Sequence, residues 1–306
     1  MELSGLITKM VIFLALMLVG YVAVRKGICD EKFSKSLSWF VMNVFLSCTI
    51  INSVISDPPE LSGSQLWYTI ILLSIVIALV LFVGIISVNA VKLGDDNRAL
   101  SELLCGVSNN VFVGMPLIQS LYGSEGLLYT ALSCIPYNVF LYTVGVWRLK
   151  KGREDSAVHI KDMLTTPLYA TVLALTIFTF NIPVPNMLCE LISTAADATM
   201  PLSMIVIGAT LGSVSLVDAF KEKRMYFISF IRLILTPALT LLLLSRLTDN
   251  TVLLSTSVII SACPSAVNVS VLALQYGHDA SYSSKGVLVT TLLSMITLPI
   301  WAMILS

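Results

Sequence analysis

Two stretches interrupt otherwise apolar runs, one in each half of the chain: residues 106–116 are GVSNNVFVGMP and residues 261–270 are SACPSAVNVS. Each places Asn, Ser, Gly or Pro in the middle of a run long enough to cross a bilayer. An interrupted helix leaves backbone groups without helical partners. Because lipid cannot satisfy those groups, the interruption must line a cavity that is buried in protein or hydrated. Paired interruptions at corresponding positions of two halves point to the binding site of a secondary transporter.

The composition is that of a membrane protein. Of the 306 residues, 57% are hydrophobic and 12% are charged, and the mean hydropathy is +0.91. A soluble domain has about 25% charged residues, so half that share indicates a polytopic α-helical membrane protein. The formal net charge of zero does not suggest a nucleic-acid partner. Residues 1–26 are expected to form a retained helix, because the apolar stretch is too long for the core of a signal peptide.

A membrane crossing needs about 20 mostly apolar residues. The sequence contains ten such spans, separated by turn-forming residues: 5–25, 34–56, 66–92, 99–121, 125–148, 162–181, 189–215, 225–246, 252–276 and 281–305. We therefore predict an all-α polytopic membrane protein with ten transmembrane helices.

The basic residues are concentrated on one side of these spans. The loops after odd-numbered spans hold 15 of the 18 Lys and Arg residues, counted from the spans above. Cytoplasmic loops carry such an excess of positive charge. The sequence thus predicts a multi-pass protein of the cytoplasmic (inner) membrane with both termini extracytoplasmic.

The two halves of the chain resemble each other. Residues 117–125 (LIQSLYGSE) match residues 271–279 (VLALQYGHD) at an offset of about half the chain. Five spans per half is an odd number, so the halves enter the membrane from opposite sides and form inverted repeats. We expect the first repeat at 1–148, a cytoplasmic linker at 149–161 and the second repeat at 162–306.

The interruptions predict an anion site. One half-helix should begin near Pro116 and the other just after residues 264–268, and both amino termini should face one central region. Each such terminus carries about half a positive charge and free N–H groups, which favour a carboxylate without a buried Lys or Arg. The predicted substrate-binding residues are Asn109, Asn110, Gly114, Pro116, Pro264, Ser265, Asn268 and Ser270. For either segment alone, a helix kink with Ser and Asn in helix packing is the alternative.

Other polar residues in the spans have two interpretations. Asn43 and Ser47 on span 2 either border the same cavity or only join helices. Asp197, Glu102 and Arg232 are candidates for ion coupling or ion pairing, because ionisable residues in spans are usually functional. Glu102 follows Arg98 by four residues, which suggests a local helical pair. Arg232 is expected to snorkel to the cytoplasmic interface or to pair with an acidic neighbour.

Enzyme chemistry is not indicated. The two histidines, His159 and His278, fall in predicted cytoplasmic loops, and the chain has neither an H-E-x-x-H zinc motif nor a Walker motif. The six cysteines show no C-x-x-C spacing and are expected to act as small hydrophobic residues. We predict no catalytic residue, no metal site and no cofactor.

Four motifs, taken in order, resemble the auxin efflux carrier family in a bacterial form, and the likeness covers nearly the whole chain. The motifs lie in residues 109–117, 201–211, 262–277 and 291–299. The resemblance implies ten helices in two inverted five-helix repeats with crossing broken helices 4 and 9. It also implies a scaffold domain from helices 1, 2, 6 and 7, a transport domain from helices 3–5 and 8–10, and a homodimer with an elevator-like motion. By motif position, Asn109 or Asn110 and Asn268 would contact the substrate.

We therefore expect a secondary transporter that moves small organic anions, such as malate-, malonate- or auxin-like carboxylates, by alternating access. An inside-negative potential favours export of an anion, and import would require coupling to H⁺ or Na⁺. Two alternatives are open: a cation/proton antiporter of the same fold, and a membrane receptor that binds a ligand without transporting it.

Overall fold

A computed structural model describes residues 3–55, 63–91, 97–150, 166–213 and 215–305. These residues are helical apart from turns and one isolated bridge. Six helical runs among them are long and apolar enough to cross a membrane: Lys32–Ile55, Gln65–Val91, Asn110–Lys150, Asn186–Gly212, Arg224–Leu244 and Ala280–Ile304. The chain is thus an all-helical polytopic membrane protein, as predicted. Residues 151–161 of the predicted linker lie outside the described residues.

The described residues of the first half form seven α-helices: α1 (Leu3–Arg25), α2 (Glu31–Phe40), α3 (Leu46–Ile55), α4 (Gly63–Val91), α5 (Arg98–Gly106), α6 (Met115–Phe140) and α7 (Val146–Lys150). Three π-helical stretches lie among these helices. Val41–Phe45 joins α2 to α3, Asn110–Gly114 precedes α6, and Leu141–Gly145 joins α6 to α7. Such stretches are short and often occur at functional sites.

The described second half contains nine α-helices: α8 (Thr166–Phe180), α9 (Asn186–Asp197), α10 (Thr199–Gly212), α11 (Leu216–Lys221), α12 (Arg224–Phe230), α13 (Thr236–Leu244), α14 (Thr251–Ala262), α15 (Asn268–Gln275) and α16 (Ala280–Ile304). A π-helical stretch, Ile231–Leu235, joins α12 to α13. Asn250 and Asp279 cap α14 and α16 by accepting from backbone N–H groups at 2.8 Å and 3.0 Å, which satisfies donors that have no partner within the helix.

The chain folds into two compact units. The first unit comprises residues 1–71, 111–135 and 164–213. In it α1 packs along α10, and α3 packs against α8 and α9. Phe13 and Met17 of α1 and Met204 of α10 are buried in its core.

The second unit comprises residues 72–110, 136–163 and 214–306. Here α13 packs against α14, and α16 contacts α5, α12, α14 and α15. Its core includes Leu103 and Leu104 of α5, Val258 and Ile259 of α14, and Val289 of α16, each at most 1% exposed. The second unit therefore contains the first predicted interruption up to Asn110 and the whole of the second.

Two glycines at the ends of helical segments have a positive φ. Gly123 lies within α6 at φ +63°, where the helix is broken, and Gly277 follows α15 at φ +65°. Both values are in the left-handed region, which glycine enters without steric cost. These are the turns predicted between spans 4 and 5 and between spans 9 and 10.

Candidate functional site

The structure confirms that both runs are interrupted where the sequence predicts it. α5 ends at Gly106, residues 107–109 are not helical, and helical structure resumes with the π-helical stretch at Asn110. α14 ends at Ala262, and α15 begins at Asn268. Both interruptions are buried, since Asn109 and Asn110 are 4% and 1% exposed and Ser265 is fully buried.

The two interruptions pair with each other, and we call residues 107–109 together with residues 263–267 the crossing. Ser108 and Ser265 form an antiparallel bridge. The Asn109 N–H donates to the Pro264 carbonyl at 2.8 Å, and the Ala266 N–H donates to the Val107 carbonyl at 3.0 Å. Backbone groups that the interruptions remove from helices are thus satisfied across the crossing.

Ser265 holds the crossing against its neighbours. Its hydroxyl donates to the Leu104 carbonyl at 2.6 Å, and its N–H donates to the Thr290 hydroxyl at 3.1 Å. Pro264 is likewise engaged through its carbonyl. Both residues were predicted to bind substrate. The hydrogen bonds of Ser265 and Pro264 stabilise the backbone of the crossing itself.

The half-helices begin at the asparagines. Asn268 is the first residue of α15 and, like Ser270, is partly exposed. The other half-helix, α6, begins at Met115, next to Pro116 as predicted, and the five π-helical residues Asn110–Gly114 extend it back to the crossing. Pro116 is the second residue of α6, where its missing N–H costs little. Gly114 and Pro116 are buried and belong to the first unit.

Arg232 lies at the crossing, and the expectation that it snorkels to the interface is wrong. Its side chain is fully buried. The guanidinium donates through Nε to the Cys263 carbonyl at 2.8 Å, and through its terminal nitrogens to the Cys105 and Ile260 carbonyls, both at 3.3 Å. The carbonyls come from the ends of α5 and α14 and the residue that follows α14, where carbonyls lack a full set of helical donors; the Ile260 carbonyl also accepts from the Cys263 N–H at 3.4 Å.

The backbone around Arg232 is adapted to a following proline. Pro237 has no N–H, so the carbonyls one turn earlier lose their helical donor. The Trp301 indole N–H donates to the Leu233 carbonyl at 2.8 Å, and the Thr236 hydroxyl lies 2.8 Å from the Arg232 carbonyl and 3.1 Å from the Ser261 carbonyl. These bonds fix the π-helical stretch from which Arg232 projects.

Glu102 is also fully buried, and its main partner is not Arg98. The Arg148 guanidinium forms two hydrogen bonds to the carboxylate, one of them from Nε at 2.6 Å. The Asn89 amide donates to the same carboxylate at 3.0 Å, whereas Arg98 lies 3.6 Å away and is half exposed. The i,i+4 pair predicted from sequence is thus present, but it is the weakest contact of a four-residue cluster.

The remaining predicted residues belong to the first unit. The Asn43 amide donates to the Trp39 carbonyl at 2.9 Å, and its oxygen accepts from the Thr166 hydroxyl. The Ser47 hydroxyl oxygen is buried and has no hydrogen-bond partner among the described residues. Asp197 is an exposed residue at the end of α9. Asn43 therefore joins span 2 to α8, which is the helix-packing alternative.

Comparison with known proteins identifies the family. A family profile described as "Membrane transport protein" matches residues 6–302. The chain belongs to this family, that of the auxin efflux carriers. It is therefore a membrane transporter.

Similar proteins come from archaea and bacteria. An uncharacterised transporter of Methanocaldococcus jannaschii is 27% identical over 96% of this chain and 97% of its own length. One of Methanothermobacter thermautotrophicus is 24% identical over 95% and 96%. The uncharacterised transporter YfdV of Escherichia coli K12 is 22% identical over 94% of each chain.

Sequence reasoning missed three residues of this transporter that contact the predicted ones. Arg148 counted only as a basic loop residue, and Asn89 and Thr290 lie in spans without any unusual pattern. Asn89 could have been identified from the sequence as a residue with a polar contact, because a polar amide near the end of an apolar span needs a partner. Nothing in the local sequence distinguishes Thr290 from Thr291.

Proposed function

We propose that this transporter carries small organic anions, such as malate-, malonate- or auxin-like carboxylates, across the cytoplasmic membrane as a secondary transporter. The pairing of the two interruptions is the observation that supports this most. Because Ser108 pairs with Ser265, the two half-helices begin close to the same backbone bridge, one at Asn110 and the other at Asn268. The amino terminus of a helix carries partial positive charge, which favours an anion.

The charges at the crossing favour an anion over a cation as cargo. The carbonyl ends of α5 and α14 are already met by the Arg232 guanidinium. The amino-terminal ends keep their partial positive charge, and the polar side chains beside them, Asn109, Asn110 and Asn268, are neutral amides. A cation/proton antiporter would use a carboxylate at this point, whereas the ionised side chain bonded to the crossing is an arginine.

We propose that transport occurs by elevator-type alternating access in a fold of ten helices arranged as two inverted repeats. Gly123 and Gly277, which the repeat aligns, share a left-handed conformation. The first unit contains spans 1, 2, 6 and 7, the proposed scaffold, and most of the other spans belong to the second unit. Residues 111–135 are the exception, since they group with the first unit.

The proposal extends to orientation, assembly and energetics. Both termini are extracytoplasmic, as the excess of basic residues in odd-numbered loops suggests, and the protein works as a homodimer. An inside-negative potential contributes about 2.3 kcal/mol per charge per 100 mV to anion export. Import would require H⁺ or Na⁺ to move with the anion.

A binding experiment followed by a flux experiment tests the function. Purified protein is melted with malate, malonate, indole acetate or chloride, and a carboxylate that binds the folded state raises the melting temperature. Counterflow of the labelled carboxylate in proteoliposomes then separates a transporter from a receptor, because a receptor saturates without flux. A chain that binds none of these acids and moves none would contradict the proposal.

Two substitutions test the site itself. Asn109→Ala and Asn268→Ala each remove a neutral hydrogen-bond donor worth about 0.5–1.5 kcal/mol, so we expect substrate affinity to fall about three- to tenfold. Titration of the melting temperature with the carboxylate gives the affinity. The control is Asn186→Ala, at the exposed start of α9, which should bind normally. Wild-type affinity in both site variants would remove these asparagines from the site.

A further inference from the structure

We propose that Arg232 is a built-in cation of the crossing. Its guanidinium takes carbonyl oxygens that an alkali cation could otherwise coordinate, so the wild-type crossing needs no bound sodium, and removal of the side chain creates a sodium site.

The contacts of Arg232 carry this inference. All three hydrogen bonds of the guanidinium go to backbone carbonyls, and these carbonyls come from two different helices: Cys105 from α5, Ile260 from α14 and Cys263 just after α14. In transporters with broken helices, unwound backbone carbonyls and half-helix carboxyl ends are the groups that coordinate Na⁺. Arg232 therefore has the partners that a coupling cation would have.

The charges also balance. The carboxyl end of a helix carries about half a negative charge. Two such ends meet at Arg232, and together they roughly match one guanidinium. Among the described residues, no carboxylate forms an ion pair with Arg232, so its charge is available for the carbonyls.

The position of the guanidinium is fixed on both sides. Thr236, Trp301 and Ser261 hold the π-helical stretch around Arg232. Ser265 ties the crossing to the Leu104 carbonyl, one residue before Cys105. Because arginine keeps its proton at neutral pH, Arg232 supplies a permanent charge and cannot carry a proton through the cycle.

The consequence for transport rests on the proposed function. A carrier with a resident cation at the crossing moves its anion without sodium. Replacing NaCl by choline chloride at equal concentration should leave counterflow by the wild-type protein unchanged.

Melting curves test the resident cation without any substrate. Wild type, Arg232→Ala, Arg232→Lys and the exposed-site control Arg246→Ala are melted in detergent, in NaCl and in choline chloride at equal ionic strength. We expect sodium to raise the melting temperature of Arg232→Ala by about 3 °C or more. Wild type, Arg232→Lys and Arg246→Ala should melt alike in both salts, because each keeps a positive charge at the crossing.

Three results would overturn the inference. Stabilisation of the wild-type protein by sodium would mean that the cation site is open beside Arg232. A folded Arg232→Ala variant that does not respond to sodium would mean that the carbonyls form no such site. If Arg232→Ala is not recovered folded, Arg232→Gln replaces it, and insensitivity of that variant to sodium counts equally against the inference. Because melting involves no carboxylate, a wrong substrate class would leave these results unaffected.

Discussion

At the scale of single residues, Glu102 is a buried negative charge held by Arg148 and Asn89. Its side chain is 0% exposed and that of Arg148 is 15% exposed. Taking such a pair out of water is costly, and the cost is offset only while both partners and their hydrogen bonds are present. The cluster therefore makes the packing of α5 against α7 depend on a matched pair of charges.

We expect Arg148→Ala to destabilise the protein by about 3–5 kcal/mol, because it leaves the Glu102 carboxylate buried and uncompensated. The double variant Glu102→Gln with Arg148→Ala removes both charges and should be more stable than Arg148→Ala alone. Melting temperatures in detergent measure both effects.

Arg98→Ala is the control for this cycle. Arg98 is half exposed and 3.6 Å from Glu102, and an exposed pair of this kind contributes at most about 1 kcal/mol. If Arg148→Ala is no more harmful than Arg98→Ala, Glu102 is not the buried charge described above.

At the scale of elements, α16 supports the crossing through one of two adjacent threonines. The Thr290 hydroxyl donates within α16 to the Gly286 carbonyl at 2.8 Å and accepts from the Ser265 N–H. The Thr291 hydroxyl donates to the Val287 carbonyl at 2.7 Å. Both side chains are buried. Substitutions at the two threonines can therefore be compared to separate the effect of the Ser265 hydrogen bond from the effect of helix packing.

Thr290→Val should destabilise the protein by about 1–3 kcal/mol, because the buried Ser265 N–H loses its acceptor. Thr291→Val, the matched control, loses only a bond within its helix and should cost less. Thermal melting compares the two variants, and substrate affinity should fall only in Thr290→Val. Equal effects of the two substitutions would mean that the Ser265 bond does not matter.

The packing of α1 on α10 depends on glycine. A Cβ atom at Gly208 would overlap the Met17 carbonyl oxygen, and a backbone atom cannot move aside as a side chain can. Small residues at such positions let membrane helices approach closely. The two helices would have to separate to admit any larger residue.

Gly208→Ala is expected to destabilise the protein by at least about 1–3 kcal/mol, the usual cost of overpacking. In Gly145→Ala, the control, the new methyl group would meet only the ends of the Leu103 and Leu141 side chains, at 3.2 and 3.3 Å. These can shift, so this variant should melt closer to wild type. The order of the two melting temperatures is the measurement, and the reverse order would contradict the packing described.

At the scale of the whole molecule, the distribution of basic residues sets the expected orientation. Cytoplasmic loops of membrane proteins are enriched in Lys and Arg, and 15 of the 18 basic residues fall in the odd-numbered loops. Lys223 and Asp249 are exposed residues in the loops at the two ends of span 8. They therefore report the two faces of the membrane.

In intact cells, a membrane-impermeant maleimide should label Asp249→Cys, and it should label Lys223→Cys only after permeabilisation. The two variants are made in a background with Cys29→Ser, Cys48→Ser and Cys189→Ser, since these three native cysteines are partly exposed. The opposite labelling pattern would invert the proposed topology and place both termini in the cytoplasm.

The sequence by itself determined the membrane class, the helical character and the location of the two interruptions. These properties depend on local composition. Apolar runs of sufficient length must become helices in lipid, and a cluster of Asn, Ser, Gly and Pro within such a run favours a break. The turns at Gly123 and Gly277 were predictable for the same reason, because the residue type favours the backbone conformation.

Only the tertiary structure decided which groups contact the buried charges of Arg232 and Glu102. Arg232 and Cys105 are 127 residues apart, and Arg148 and Glu102 are 46 residues apart. The local sequence around Arg232 suggested an interfacial side chain, and the pattern around Glu102 suggested Arg98. The expectation for Arg232 was wrong, whereas the Arg98 pair is present at 3.6 Å but is not the main contact of Glu102. The physical reason is the same for both residues: a buried charge is satisfied by whatever polar group the folded chain brings within hydrogen-bonding distance, and here that group comes from another part of the chain.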